Sequence, residues 1–160
     1  MFTSIAIIGR PNVGKSSLFN KLTKSRNAIV SDFSGLTKDR NYSYFEVKDK
    51  RTLLIDTGGI VDSKETMQDA ISQQAWTAVE ESSLIILLLD GSEDRVKEDL
   101  DIVQNLRKLN KEFLTVLNKA DKKSDSTIKD DLAKLGIQIF YEISAEHSIN
   151  ISELQSELAS

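Results

Sequence analysis

Residues 4–24 leave this chain fewer alternatives than any other stretch. An apolar run, Ser4-Ile5-Ala6-Ile7-Ile8, leads directly into Gly9-Arg10-Pro11-Asn12-Val13-Gly14-Lys15-Ser16. A helical spacing of Leu18, Phe19 and Leu22 follows. G-x-x-x-x-G-K-S between a strand and a helix is a phosphate-binding loop. Its glycines let backbone N–H groups curl around anionic oxygens without Cβ clashes. The helix N-terminus adds donors that lack intrahelical partners, together with a partial positive charge. Asn12, Val13, Gly14, Lys15, Ser16 and Ser17 are therefore expected to line bound phosphates. Lys15 would bring a full charge to the β- and γ-phosphates, and the Ser16 hydroxyl would ligate Mg2+.

The rest of the chain alternates between the periods of strand and helix. Helical spacing predicts helices at about 15–24, 66–82, 95–110, 128–135 and 149–158, with Gly136 as the C-cap of the fourth. Tyr42 to Val47 and residues 52–55 read as two strands joined by the polar turn Lys48-Asp49-Lys50-Arg51, an antiparallel hairpin. Further strands are expected at 84–89, 113–117 and 137–143. The first is a continuous apolar run, the mark of a strand buried on both faces, and the second is expected to be another buried strand. The predicted fold is α/β: a six-stranded, mostly parallel sheet with one antiparallel edge strand and helices on both faces. Residues 25–41 show no sustained period, and a loop of that length in a compact domain is usually functional or mobile.

A chain of 160 residues suits one domain with one full core. The net charge of −4 supplies no basic excess, so direct nucleic-acid binding by this domain is not expected. With no cysteines there is neither a disulfide nor a cysteine-based metal site. Met1-Phe2-Thr3 runs straight into the first strand without a signal-peptide pattern, and the run at 84–89 is too short to span a bilayer. A cytoplasmic location with no membrane partner is the expectation.

In sheets of this kind ligands sit beyond the carboxyl ends of the strands. Asp56 closes the third strand, where a carboxylate can hold Mg2+ through its water shell. Gly58 and Gly59 leave room for a backbone N–H to approach a γ-phosphate. Asn118-Lys119-Ala120-Asp121 closes the fifth strand. Asp121 there can accept from guanine N1 and the 2-amino group, donors that adenine does not present in that arrangement, which argues against an ATPase. Asn118 would bond the base edge and brace the loop, and the Lys119 stem would cover the base face. Ser144-Ala145 closes the sixth strand; alone it reads as a strand-to-helix turn, and beside the other loops it offers a backbone N–H to guanine O6. Thr37, in the long loop, would bring its hydroxyl to Mg2+ and its N–H to the γ-phosphate, ordering with GTP and releasing after hydrolysis. His147 reads as a surface residue and Trp76 as a core or interface residue.

These elements, in this order, resemble the GTPase superfamily. Residues 9–20, Gly35-Leu36-Thr37-Lys38-Asp39-Arg40, Asp56-Thr57-Gly58-Gly59-Ile60, Asn118-Lys119-Ala120-Asp121 and Ile143-Ser144-Ala145-Glu146-His147 together resemble the first G domain of the Der (EngA) family of bacterial GTPases. Era- and MnmE-type GTPases are the nearest alternatives. The resemblance implies a P-loop NTPase with a Ras-like G domain that binds GTP and GDP with Mg2+ and acts in assembly of the large ribosomal subunit. It also implies a longer protein, with a second G domain and a KH-like domain that are absent here, so that 1–160 reads as a single excised G domain. Two departures stand out. The family often has Pro-Gly-Val-Thr-Arg-Asp where this chain has Ser34-Gly35-Leu36-Thr37-Lys38-Asp39, and Ile60 stands where Ras-like proteins carry the glutamine that orients water. Catalysis is thus assigned to Lys15, Thr37, the Gly59 backbone and Asn12, whose side-chain oxygen is implied to help hold K+ in place of an arginine finger. Arg10 and Arg40 read as solvated. The domain is expected to be slow in isolation; a nucleotide-dependent docking module with little hydrolysis is the alternative.

Overall fold

The computed structural model describes residues 3–23, 42–47, 50–59, 73–92, 97–121 and 127–158. Strand β1 (Thr3–Ile8) leads through the glycine loop into helix α1 (Lys15–Thr23). The hairpin β2 (Tyr42–Val47) and β3 (Lys50–Asp56) ends in a single 3-10 turn, Thr57–Gly59. Then follow α2 (Gln73–Glu81), β4 (Leu84–Asp90), α3 (Lys97–Lys108) and β5 (Phe113–Asn118). Helix α4 (Ile128–Lys134), β6 (Phe140–Glu142) and α5 (Ile151–Leu158) complete the described order.

The six strands lie in the order β2-β3-β1-β4-β5-β6. Strand β1 pairs in parallel with β3 and β4, β4 with β5, and β5 with β6, while β2 pairs antiparallel with β3 at the edge. The carboxyl ends of β1, β3, β4 and β5 therefore share one rim. From β1 the chain goes outward on one side to β3 and then returns to β4 on the other, so the rim beside β1 is the switch point of the sheet.

Side-chain alternation explains why β1 from Ile5 to Ile8 and β4 from Leu84 to Leu89 are continuously apolar. Ile5, Ile7, Ile86 and Leu88 bury themselves with Leu18, Phe19 and Leu22 of α1 and Ile151 and Leu154 of α5. Their neighbours Ala6, Ile8, Ile85, Leu87 and Leu89 bury themselves on the other face with Val79 of α2, Val103 and Leu106 of α3 and Leu132 of α4. Each face of the sheet thus has its own helices, and a residue on either face of β4 is in core.

Three boundaries differ from the sequence-based expectation. Lys50 and Arg51 belong to β3, not to a turn: Lys50 pairs with Val47, and Arg51 stands opposite Glu46, a cross-strand match of opposite charge. Residues 137–139 precede β6 because the backbone of Ile137 is used to close α4. Gly136 donates to the Ala133 carbonyl at 3.0 Å and Ile137 to the Leu132 carbonyl at 2.9 Å. With Gly136 at φ +79°, this is a Schellman closure around the expected C-cap glycine. Ile137 packs back into the core and Ile139 is left 72% exposed. Helix α5 starts at Ile151 because Ser144 and Ile149 exchange backbone hydrogen bonds and so hold the preceding turn. The expected starts of the second and third helices, 66–72 and 95–96, lie outside the described residues. Among the described residues no helix is long and apolar enough to cross a membrane.

Candidate functional site

The glycine loop is the turn that β1 must make to place α1 on the sheet. Gly14 takes φ +105°, and a Cβ there would collide with the Asn118 side-chain amide. Glycine is required by conformation and by space alike. The first bond of α1 runs from the Leu18 N–H to the Gly14 carbonyl at 3.0 Å. The N–H groups of Lys15, Ser16 and Ser17 precede it and are those a helix leaves without an intrahelical acceptor. Pro11, Asn12, Gly14, Lys15, Ser16, Ser17 and Gly58 line an open cleft of about 430 Å3.

Lys15 is buried, and its ammonium donates to the Gly9 carbonyl at 2.7 Å and the Arg10 carbonyl at 2.8 Å. Burial pushes its pKa down to about 8, the Asp56 carboxylate pulling it up and Arg10 pushing it further down. A Cβ on Gly58 would lie 2.6 Å from Lys15 Cε, so the turn after β3 closes directly over the lysine. Asp56 accepts the Gly58 N–H at 3.0 Å on one oxygen and the Ser16 hydroxyl at 3.1 Å on the other. A hydroxyl and a carboxylate converging beside the cleft suit Mg2+, which takes few protein oxygens and keeps several waters. Thr57 turns inward, its hydroxyl donating to the Ile7 carbonyl at 2.7 Å.

The base-side loops are tied to the phosphate loop by side chains. Asn118, at the end of β5, donates through Nδ2 to the Val13 carbonyl at 2.9 Å and accepts the Ala145 N–H at 2.9 Å on Oδ1. The amide orientation follows from these two partners. Lys119, at φ +66°, sends its ammonium to the Asn12 carbonyl at 3.2 Å and to Asp90 at 2.9 Å. Ala120 donates to the Ile143 carbonyl at 2.9 Å, joining the two base-side loops. Asp121 lies 3.2 Å from His147 Nε2.

Several expectations meet a different local arrangement. Asn118 braces as expected, but across two loops, with its amide nitrogen on Val13 and its amide oxygen on Ala145. The Ser144 N–H bonds the Ile149 carbonyl and the Ala145 N–H bonds Asn118, so the backbone donor expected for guanine O6 is engaged within the chain at either residue. Arg10 is not simply solvated: its Nε lies 3.4 Å from Asp99 of α3, whose side chain is 3% exposed. His147 is an exposed residue, as expected, with the Asp121 carboxylate as a partner. Trp76 is partly buried against the α2–α3–α4 side of the core. Thr37, Arg40 and Ile60 lie outside the described residues, and of Gly59 the backbone alone is described. Asp90 was not anticipated, although an Asp-Gly ending a buried strand repeats the signal that singled out Asp56.

A parallel sheet with a glycine loop at its switch point, and with Asp56 and Asn118 on the same rim, defines a P-loop GTPase fold. The chain belongs to the family described as "50S ribosome-binding GTPase", which matches residues 4–119. It is 41% identical over 158 residues to GTPase Der of Legionella pneumophila, covering 99% of this chain and 34% of that protein. To GTPase Der of Vibrio vulnificus it is 38% identical over 154 residues, covering 96% of this chain and 31% of that protein. The chain thus spans about a third of the length of these curated relatives. Among solved structures, a variant of Aquifex aeolicus Era bound to GDP.AlF4- matches with TM-score 0.74 at 27% identity, over 98% of this chain and 56% of that one. The cytosolic domain of FeoB from L. pneumophila matches with TM-score 0.67 at 25% identity, over 98% and 69%.

Proposed function

We propose that this chain is the GTP-binding and GTP-hydrolysing switch domain of a larger Der-type GTPase, acting in the cytoplasm on assembly of the large ribosomal subunit. The observation that carries the nucleotide reading is the Asn118 bridge. One amide ties the phosphate loop at Val13 to the turn at Ala145, so the elements that would read the phosphates and the base are joined along one rim. Asp121 would accept from guanine N1 and the 2-amino group, the His147 contact giving way to the base. The Lys15 ammonium would exchange two loop carbonyls for phosphate oxygens, a stronger, charge-assisted pairing.

Hydrolysis of GTP to GDP and phosphate needs a water positioned at the γ-phosphorus and positive charge where the β–γ bridging bond breaks. Lys15 supplies such charge, with the Gly58 and Gly59 turn beside it. Mg2+ held by Ser16 and Asp56 would neutralise the phosphate oxygens, and the resemblance adds Thr37 as a further ligand. Asn12 lines the cleft, and the resemblance implies that its side-chain oxygen would help hold a K+ ion. Within the described part of the Asp56 turn, the Thr57 hydroxyl faces inward, so that turn offers no side-chain base. Slow turnover in isolation is expected, and this feature also favours the second reading, a nucleotide-dependent docking module. The relatives' greater length supports a partner role for further domains, a second G domain and a KH-like domain, with ribosome contact made by the whole protein.

Titration with GDP, GTP and XTP tests the base reading. Asp121→Asn should shift preference from GTP toward XTP, and unchanged GTP affinity would remove that assignment. Phosphate release in KCl against NaCl separates the two readings: turnover favouring KCl supports the switch with its K+, and none in either salt supports the docking module.

A further inference from the structure

Asp90 ends β4 at the nucleotide rim, in register with Asn118 at the end of β5. It is a carboxylate 4% exposed at the end of an otherwise apolar strand. Its Oδ1 accepts the Ser92 N–H at 2.9 Å and the Ser92 hydroxyl. Its Oδ2 accepts the Lys119 ammonium at 2.9 Å. The same ammonium donates to the Asn12 carbonyl at 3.2 Å. Contacts therefore run from the exit of β4, through the base loop, to the phosphate loop. Burial would raise the Asp90 pKa, yet the hydrogen bonds from Ser92 and Lys119 outweigh it and hold the group below the usual carboxylate value. Asp90 is ionised throughout the neutral range.

A lysine stem has four soft torsions, and an unpinned ammonium seeks water. Pinned at its head, the stem becomes a fixed wall, and the ordering cost is met before any ligand arrives. We propose that Asp90 is a positioning residue for nucleotide binding. It holds the Lys119 ammonium so that the lysine stem is preset where the base would lie, and couples the base loop to the phosphate loop through the Asn12 carbonyl. This rests on the guanine-nucleotide reading above.

The test is a double-mutant cycle on the 160-residue chain, read as GDP affinity, with Asp90→Asn, Lys119→Met and both together. Asparagine keeps the shape and the acceptor for Ser92 but removes the charge. Each single change should weaken GDP binding by about tenfold, and the double variant should bind no more weakly than Lys119→Met alone. Losses that multiply would overturn the proposal, because Asp90 would then act on the fold in general. An unchanged affinity in Lys119→Met would overturn it as well. Absence of GDP binding by the unsubstituted chain would instead remove the nucleotide reading itself. Should Asp90→Asn not fold by circular dichroism, 15N spectra of the lysine ammonium groups decide. A slowly exchanging ammonium signal that disappears in Lys119→Met supports the pin; no such signal overturns it.

Discussion

The phosphate side and the base side of this rim are held in shape by different means. On the phosphate side the loop is built from its own backbone: Gly14 in a left-handed conformation, the opening turn of α1, and a lysine folded onto two carbonyls five and six residues earlier in the chain. On the base side the loops are held by side chains that cross long stretches of sequence. Asn118 reaches Val13 and Ala145, Lys119 reaches Asp90 and Asn12, and His147 reaches Asp121. Backbone donors can cradle any triphosphate, whereas telling guanine from adenine requires fixed side chains, and fixing them takes a network.

The contrast implies that the two sides fail differently. Lys15→Met should be the most severe change for binding, weakening GDP and GTP by about 100- to 1,000-fold while the protein stays folded, because it removes a charge-assisted contact to phosphate. Calorimetric titration checks it, and a loss under tenfold would show that the backbone cradle dominates. Asn118→Ala should do the reverse, lowering stability by about 2–3 kcal/mol in denaturant unfolding. It strips two buried bonds and leaves the Val13 carbonyl and the Ala145 N–H without their partner.

Next comes pH. With its pKa lowered to about 8, Lys15 of the nucleotide-free protein is deprotonated at alkaline pH, and phosphate favours the ammonium. Binding should then take up a proton, and affinity should fall by up to about tenfold per pH unit above 8 while staying level below it. Titrations in buffers of different ionisation enthalpy count that proton. The stability effect has the opposite sign. From about pH 8 up to the ordinary value of 10.5 the unfolded chain holds more protons than the folded one, so this group makes the nucleotide-free protein more stable as pH rises through that window. The smallest effect is expected for His147→Ala. It frees the Asp121 carboxylate from a partner that guanine must displace, so GDP binding should tighten by about twofold to threefold. Weaker binding would mean that His147 orients Asp121 instead of competing for it.

Much of the fold could be read along the chain because its signals are local. The apolar run of β4, the glycine loop and the Gly136 closure each depend on residues a few positions apart. The boundaries that moved did so for reasons of pairing. Whether Lys50 and Arg51 turn or extend depends on Val47 and Glu46 across the hairpin, and Ile137 leaves β6 because its N–H serves Leu132. The candidate site divides in the same way. Lys15, Ser16, Asp56, Asn118 and Asp121 announce themselves by residue type and spacing at strand ends. The Arg10–Asp99 pair does not, and Asp90, though it ends a strand as Asp56 does, shows its role only through a partner far away in the chain.

The order of residues by itself determined the class of sheet, the phosphate loop and the strand ends that make up the candidate site, because periodicity and backbone conformation are properties of neighbours. The tertiary structure alone decided which carboxylate takes which cation and that Asn118 spans two loops. Hydrogen bonds act over about 3 Å, and sequence carries no measure of distance between residues a hundred positions apart.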